Sequence, residues 1–121
     1  MITLKTLPQA TAQEVFDQIV QHLLKQGKAA ISSTGACCYR TKVHGEVLKC
    51  AAGCLIADDE YNRLFENVAW NDLADRGKVP SHHVALVRQL QRIHDRESFD
   101  TWTYYFHKIA RDFGLTFHQP S

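Results

Sequence analysis

The C-terminal third of the chain carries an apolar repeat that constrains the fold more than any other feature. Five apolar residues recur there at alternating spacings of three and four, namely Phe99, Trp102, Phe106, Ile109 and Phe113. This spacing places all five side chains on one face of an α-helix. The repeat therefore predicts a helix that opens at Ser98, ends at Gly114 and packs on another helix through its aromatic face.

A second amphipathic helix is predicted near the N-terminus, and it is the expected packing partner of the last helix. Thr11 and Glu14 have the spacing of a capping box, and Gly27 follows the last apolar position as a C-terminal stop. The apolar positions between these signals recur at helical spacing, and they are Ala12, Phe16, Ile19, Val20 and Leu23.

A third helix of about a dozen residues is predicted after Ser81, which is a suitable N-cap. Its apolar stripe consists of Val84, Val87, Leu90 and Ile93. The opposite face carries arginines at intervals of four, at Arg88, Arg92 and, if the helix continues that far, Arg96. Residues four apart lie on the same side of a helix, so these arginines would form one basic stripe.

The middle of the chain changes character and predicts a small β-hairpin, with strands in residues 38–43 and 46–48 and a turn at Gly45. We expect residues 50–57 to form a short buried helix in which Gly53 marks a close backbone approach. Another short helix is expected around residues 60–65. The prediction is one α+β domain over residues 1–121, predominantly helical, with the hairpin packed against four to five helices.

Length and charge exclude several classes of protein. The chain has 121 residues, 45% of them hydrophobic, and a net charge of +1, which is ordinary for one globular domain. A protein that wraps nucleic acid needs a large positive charge, and an acidic mimic of DNA needs a large negative charge. The net charge of +1 therefore argues against both classes. The N-terminus lacks the pattern of a secretory signal, and no apolar run approaches the roughly 20 residues of a membrane span. We therefore expect a cytoplasmic protein without a membrane partner.

Four cysteines fall within 18 positions, at Cys37, Cys38, Cys50 and Cys54. In a reducing compartment the favoured interpretation is small buried thiols, with no metal and no cofactor. The alternative is a thiol site: a structural zinc on Cys38, Cys50 and Cys54, or a cysteine hydrolase. In the hydrolase, Cys50 would be the nucleophile at a helix N-terminus, with a histidine as base.

The basic stripe indicates a binding function. Arg88, Arg92 and Arg96, together with Tyr104 on the last helix, are the predicted partner-binding residues. A basic stripe of this kind suits phosphates or an acidic protein surface, and a host or defence protein is the favoured partner. Asp95 and Glu97 partly offset the positive charge, so nucleic-acid binding is the weaker alternative.

The central segment resembles a known group of proteins. Cys38-Tyr39-Arg40, the turn glycine and the run from Lys49 to Ile56, Lys-Cys-Ala-Ala-Gly-Cys-Leu-Ile, are similar to a segment of short uncharacterised proteins of tailed bacteriophages and prophages. The resemblance implies a phage or prophage setting, hence the host cytoplasm, and it brings no catalytic residues. The favoured function is a small non-enzymatic accessory protein that binds and modulates, by inhibition, a host or anti-phage defence macromolecule.

Overall fold

A computed structural model describes residues 1–118 of the chain. In chain order the helices and strands are α1 (Ala12–Gln26), β1 (Arg40–Val43), β2 (Glu46–Lys49), α2 (Trp70–Asp75), α3 (Val84–Arg96) and α4 (Trp102–Asp112). Single 3₁₀ turns lie at Leu7–Gln9, Gly53–Leu55, Arg63–Phe65 and Phe99–Thr101. This architecture confirms the predicted fold class, a predominantly helical α+β fold with one small antiparallel hairpin.

Helix α3 lies at the centre of the fold and packs against α1, α2 and α4. It buries Leu86, Val87, Leu90 and Ile93. The expectation that the last helix packs chiefly on the first is wrong, because α4 lies mainly against α3. The apolar repeat of α4 shows which of its faces is buried, but periodicity carries no information about which helix covers that face.

Local signals at the ends of α1 are confirmed. The Thr11 side chain accepts the Glu14 backbone N–H, and the Glu14 carboxylate accepts the Thr11 backbone N–H, so both halves of the capping box are present. Gly27 follows in the left-handed conformation, with φ 74°. Residues next to the helix in the chain therefore provide hydrogen-bond partners for backbone groups at both ends of α1.

The predicted N-cap of α3 is wrong. The cap is His83, in the left-handed region at φ 62°, and its side chain makes no capping hydrogen bond. Instead the His83 ring Nε2 lies 2.7 Å from the Ala10 carbonyl oxygen, 73 residues away in sequence. A tertiary contact thus accompanies the start of α3, and Ser81 lies exposed just before it.

The predicted start of the last helix also needs correction. Residues Phe99–Thr101 form a 3₁₀ turn, and α4 begins at Trp102, whose indole Nε1 donates to the Glu97 carbonyl. The middle of the aromatic repeat is buried, whereas Phe99 is 40% exposed and Phe113 is 37% exposed. The terminal aromatics lie beyond the part of α4 that other elements cover.

The hairpin is confirmed, with Arg40 opposite Lys49 and Val43 opposite Glu46. His44 and Gly45 form the turn with φ values of 51° and 80°. Positive φ at both central residues is what a two-residue type I′ turn requires.

The short buried helix predicted for residues 50–57 is present only in part. These residues begin with a turn and contain only the 3₁₀ turn Gly53–Leu55. The close approach predicted at Gly53 is real, because a Cβ atom there would overlap the backbone carbonyl of Tyr39. The backbone of this segment therefore runs against Tyr39, the residue just before β1.

The chain beyond α4 covers part of the core. Phe117 lies edge-on to Phe16 and Phe106, with ring centroids 6.0 and 5.9 Å apart. Gln13 Nε2 donates to the Thr116 carbonyl, and Gln13 Oε1 accepts the Thr116 N–H. Through residue 118 the tail is therefore an extended segment that covers the core. Residues 119–121 lie outside the described part of the chain.

Within residues 1–118, every helix is too short or too polar to span a bilayer.

Candidate functional site

A cavity of about 550 Å³ opens between the hairpin side of the molecule and the exposed face of α3. One wall comes from residues 37–39 and Cys50, and a second comes from residues 66–70. The third wall is α3, which contributes Ala85, Arg88, Gln89, Gln91, Arg92, Asp95 and Arg96. This volume lies within the range of small-molecule binding sites in proteins.

The structure brings the three predicted arginines together in this cavity. Arg88, Arg92 and Arg96 all line it, because α3 extends as far as Arg96. Within residues 1–118, none of the three forms an ion pair with a carboxylate. Each guanidinium carries five N–H donors and no acceptor, so the wall supplies positive charge and free donors.

Glu66 connects by hydrogen bonds the two walls of the cavity that do not come from α3. Its Oε1 accepts the Tyr39 backbone N–H at 2.9 Å, and its Oε2 accepts the Arg40 N–H at 3.2 Å and the Tyr61 hydroxyl at 2.6 Å. The Tyr39 hydroxyl in turn donates to the Val68 carbonyl at 2.6 Å. These bonds join the start of β1 to residues 61–68 and fix the distance between two sides of the cavity.

Asp95, the other carboxylate that lines the cavity, also accepts hydrogen bonds. Its Oδ1 accepts from Gln91 Nε2 at 2.8 Å and lies 2.7 Å from His94 Nδ1. Gln91 also reaches the segment below the hairpin, where its Oε1 accepts the Ala52 N–H at 2.9 Å. Both acidic side chains of the cavity are therefore occupied by hydrogen bonds, whereas the arginines are not paired with them.

Three of the four thiols in or near the cavity have a raised pKa, which favours their protonated form. Burial raises the pKa of Cys50 well above its ordinary value and raises that of Cys54 to about 12. Burial also raises the pKa of Cys37, and the nearby negative charge of Asp95 raises it further. The Cys54 Sγ donates to the Ala51 carbonyl, and the Cys38 Sγ donates to the Ala36 carbonyl.

The positions of the cysteines do not favour the alternative of a thiol site. Cys50 lies fully buried in a turn rather than at the N-terminus of an α-helix, so no helix dipole stabilises its thiolate. The three cysteines proposed as zinc ligands are not gathered: within residues 1–118, the one group of three ligand atoms within 4.8 Å is Cys37, His94 and Asp95.

The hydrogen bonds of His94 show what this group is able to do. His94 is buried, and its Nε2 accepts the Ala30 backbone N–H at 2.8 Å, so the ring proton is on Nδ1 and points to Asp95. If His94 bound a metal through Nδ1, its ring proton would have to be on Nε2, where it would face the Ala30 N–H, which is also a donor. The same bond occupies the lone pair with which His94 would take a proton from Cys37. The arrangement fits a structural histidine better than a metal ligand or a general base.

Tyr104, the fourth predicted binding residue, is not brought to the arginines. It is 68% exposed, lies edge-on to Tyr105 at 5.1 Å between centroids, and does not line the cavity.

Sequence reasoning missed Glu66, Trp70 and Gln91 as residues of this site. Gln91 has a local signal, since it lies three residues after Arg88 and shares its side of α3. Glu66 and Trp70 have none, because they reach the cavity through the tertiary path of residues 57–70.

Comparison with known proteins yields no match among protein-family models, curated proteins or solved structures. The resemblance of the central segment to phage and prophage proteins stays a prediction.

Proposed function

We propose that the protein is a non-enzymatic binding protein that holds an anionic group of a partner macromolecule in the arginine-lined cavity. One observation carries the proposal: three arginines without carboxylate partners in residues 1–118 line a single cavity whose own carboxylates are already hydrogen-bonded. An acidic group entering the cavity would gain charge-assisted hydrogen bonds without displacing an internal partner.

The chemistry of the neighbouring side chains supports a binding role over a catalytic one. The thiols whose pKa is raised, those of Cys37, Cys50 and Cys54, are poor nucleophiles near neutral pH because only the thiolate attacks. His94 has no free lone pair to act as a base. Without an activated nucleophile or base here, the arginines serve recognition.

The partner we propose is a protein rather than a nucleic acid. The net charge of +1 leaves little attraction for a polyanion beyond the cavity itself, whereas a discrete acidic feature matches a local cluster of three guanidinium groups. In the setting implied by the phage resemblance, the partner is a host or defence protein in the host cytoplasm, and binding inhibits it.

Photo-crosslinking tests this proposal directly. A photoreactive residue replaces Gln89, which is exposed and lines the cavity, and the protein is expressed in bacterial cells before irradiation. We expect one defined crosslinked protein. Its yield should fall at least tenfold when Arg88, Arg92 and Arg96 are all changed to glutamine.

The matched control changes Arg63, Arg76 and Arg111 to glutamine. These arginines are exposed and lie outside the cavity, so the control removes the same charge from the molecule. It should keep the crosslink. Equal losses in the two triple variants would reduce the effect to net charge and overturn the proposal. So would a product that nuclease removes, or no defined product in any form of the protein.

A further inference from the structure

The arginine wall offers more positive charge than a single carboxylate uses. One carboxylate is satisfied by one guanidinium through two parallel hydrogen bonds. Arg88, Arg92 and Arg96 follow one another at intervals of four, about 6 Å along the helix axis. The three arginines thus span about 12 Å of the helix axis, and their side chains are long and flexible enough to converge on one group. The wall therefore suits a group with several acceptor oxygens and more than one charge.

A further unused donor lies in the same lining. Trp70 is 2% exposed, and its indole Nε1 has no hydrogen-bond partner among residues 1–118. The other tryptophan, Trp102, donates its Nε1 proton to the Glu97 carbonyl. A buried N–H without an acceptor is costly, and it needs an explanation in a folded protein. Trp70 lines the cavity, and its Nε1 has almost no exposed surface, so a ligand oxygen would accept this N–H only after a small movement of the cavity wall.

We infer that the anionic group held in this cavity is a phosphate monoester. This inference rests on the proposed function, because it takes the cavity as the binding site and names the chemistry of its ligand. A phosphate monoester carries close to two negative charges at neutral pH and three strong acceptor oxygens, which match an excess of arginine donors. The volume of about 550 Å³ leaves room for the phosphate together with the group that carries it.

The test compares three anions that share a phenyl ring: phenyl phosphate, benzenesulfonate and benzoate. Benzenesulfonate has three oxygens with one charge, and benzoate has two oxygens with one charge, so the series separates charge from shape. Each is titrated at pH 7.5 into the whole 121-residue chain labelled with ¹⁵N, and dissociation constants come from the shifts of cavity resonances. We expect phenyl phosphate to bind at least tenfold more tightly than the other two.

The two indole resonances provide an internal control. The Trp70 N–H signal should move with phenyl phosphate, whereas the Trp102 N–H signal should not, because Glu97 already holds that proton. Arg92→Gln, at the middle of the wall, should weaken binding at least tenfold, while Arg76→Gln should leave it unchanged. All of these arginines are exposed, so both variants are expected to fold.

The outcomes separate this inference from the proposed function. If phenyl phosphate binds no more tightly than benzoate, or leaves the Trp70 indole signal unmoved, the inference is overturned, although a cavity-dependent crosslink would still support an acidic partner. If it binds as expected, adenosine monophosphate and N-acetyl phosphoserine amide identify the source. Tighter binding of the phosphoserine derivative indicates a phosphorylated protein, in agreement with the proposed function. Tighter binding of the nucleotide indicates a free metabolite, which would keep the phosphate inference and overturn the proposed protein partner.

Discussion

Gly53 is the place where two backbone segments meet with no room for a side chain. A Cβ atom at this position would overlap the Tyr39 carbonyl oxygen and lie 2.9 Å from its carbon, so the Tyr39 backbone just before β1 would have to move. We expect Gly53→Ala to lower the free energy of unfolding by about 3 kcal/mol or more, as severe overpacking does. Urea unfolding followed by circular dichroism measures it.

The matched control is Gly35→Ala. Gly35 has φ 88° and open space around it, so alanine there meets only the backbone penalty of the left-handed region, about 1–2 kcal/mol. Equal losses in the two variants would show that the contact with Tyr39 is unimportant.

Single residues were predictable from the sequence where their neighbours in the chain determine their role. The Thr11 capping box and the Gly27 stop follow from local chemistry, and the structure confirms them. The glycine at position 53 predicts a close backbone approach, but not that Tyr39 is the residue approached. His83 as the cap of α3 was not predictable, because its ring contacts Ala10 from the other end of the chain. Local rules do not include that contact.

At the scale of elements, one carboxylate connects the hairpin to the segment before α2. Glu66 accepts the backbone N–H groups of Tyr39 and Arg40 at the start of β1. An amide at this position keeps one acceptor oxygen and replaces the other with a donor. We expect Glu66→Gln to speed hydrogen exchange of one or both of these N–H groups at least tenfold, measured by NMR.

Glu46→Gln serves as the comparison for this variant. Glu46 lies on β2 in an exposed ion pair with Lys28, and such pairs contribute little to stability. The same exchange rates in both variants would contradict a specific role of Glu66 in holding the hairpin.

The types of most elements follow from the sequence, and their packing does not. Apolar periodicity predicts α1, α3 and α4, and the turn glycine predicts the hairpin. The partner of α4 depends on the shapes of whole faces. In residues 50–57 the close contact with the Tyr39 backbone accompanies a turn and a single 3₁₀ turn, where a run of small residues locally favours a longer helix.

At the scale of the molecule, buried protonated groups make stability depend on alkaline pH. Burial raises the pKa of Cys54 from 9.0 to about 12 and that of Cys50 well above 9.0, and it also raises the pKa of Tyr39. An unfolded chain releases these protons at lower pH than the folded chain. The unfolded state therefore binds fewer protons above pH 9, and stability falls as pH rises.

The free energy of unfolding should change little from these groups between pH 7 and pH 8.5. It should then decrease between pH 9 and pH 11, by up to about 1.4 kcal/mol per pH unit for each buried thiol. Urea unfolding at a series of pH values measures the profile, and Cys54→Ala should make the decline shallower. A profile that stays flat to pH 10.5 would contradict burial of the thiols in their protonated form.

The site was only partly predictable at this scale. The arginines share a face because α3 is a regular helix, and that follows from their spacing of four. Glu66 and Trp70 join them through the path of the chain between β2 and α2, which no local pattern specifies. Tyr104 is exposed on α4 but does not line the cavity, because the sequence does not specify how the exposed face of α4 lies relative to that of α3.

The three walls of the cavity come from residues 37–39 with Cys50, from residues 66–70 and from residues 85–96, so the cavity exists only after most of the chain has been made. A nascent chain that ends before α3 lacks every arginine of the site. A ligand of the cavity therefore cannot assist the early steps of folding during synthesis. It stabilises only the finished fold, by an amount that grows with its concentration, and so protects the mature protein selectively against degradation in the cell.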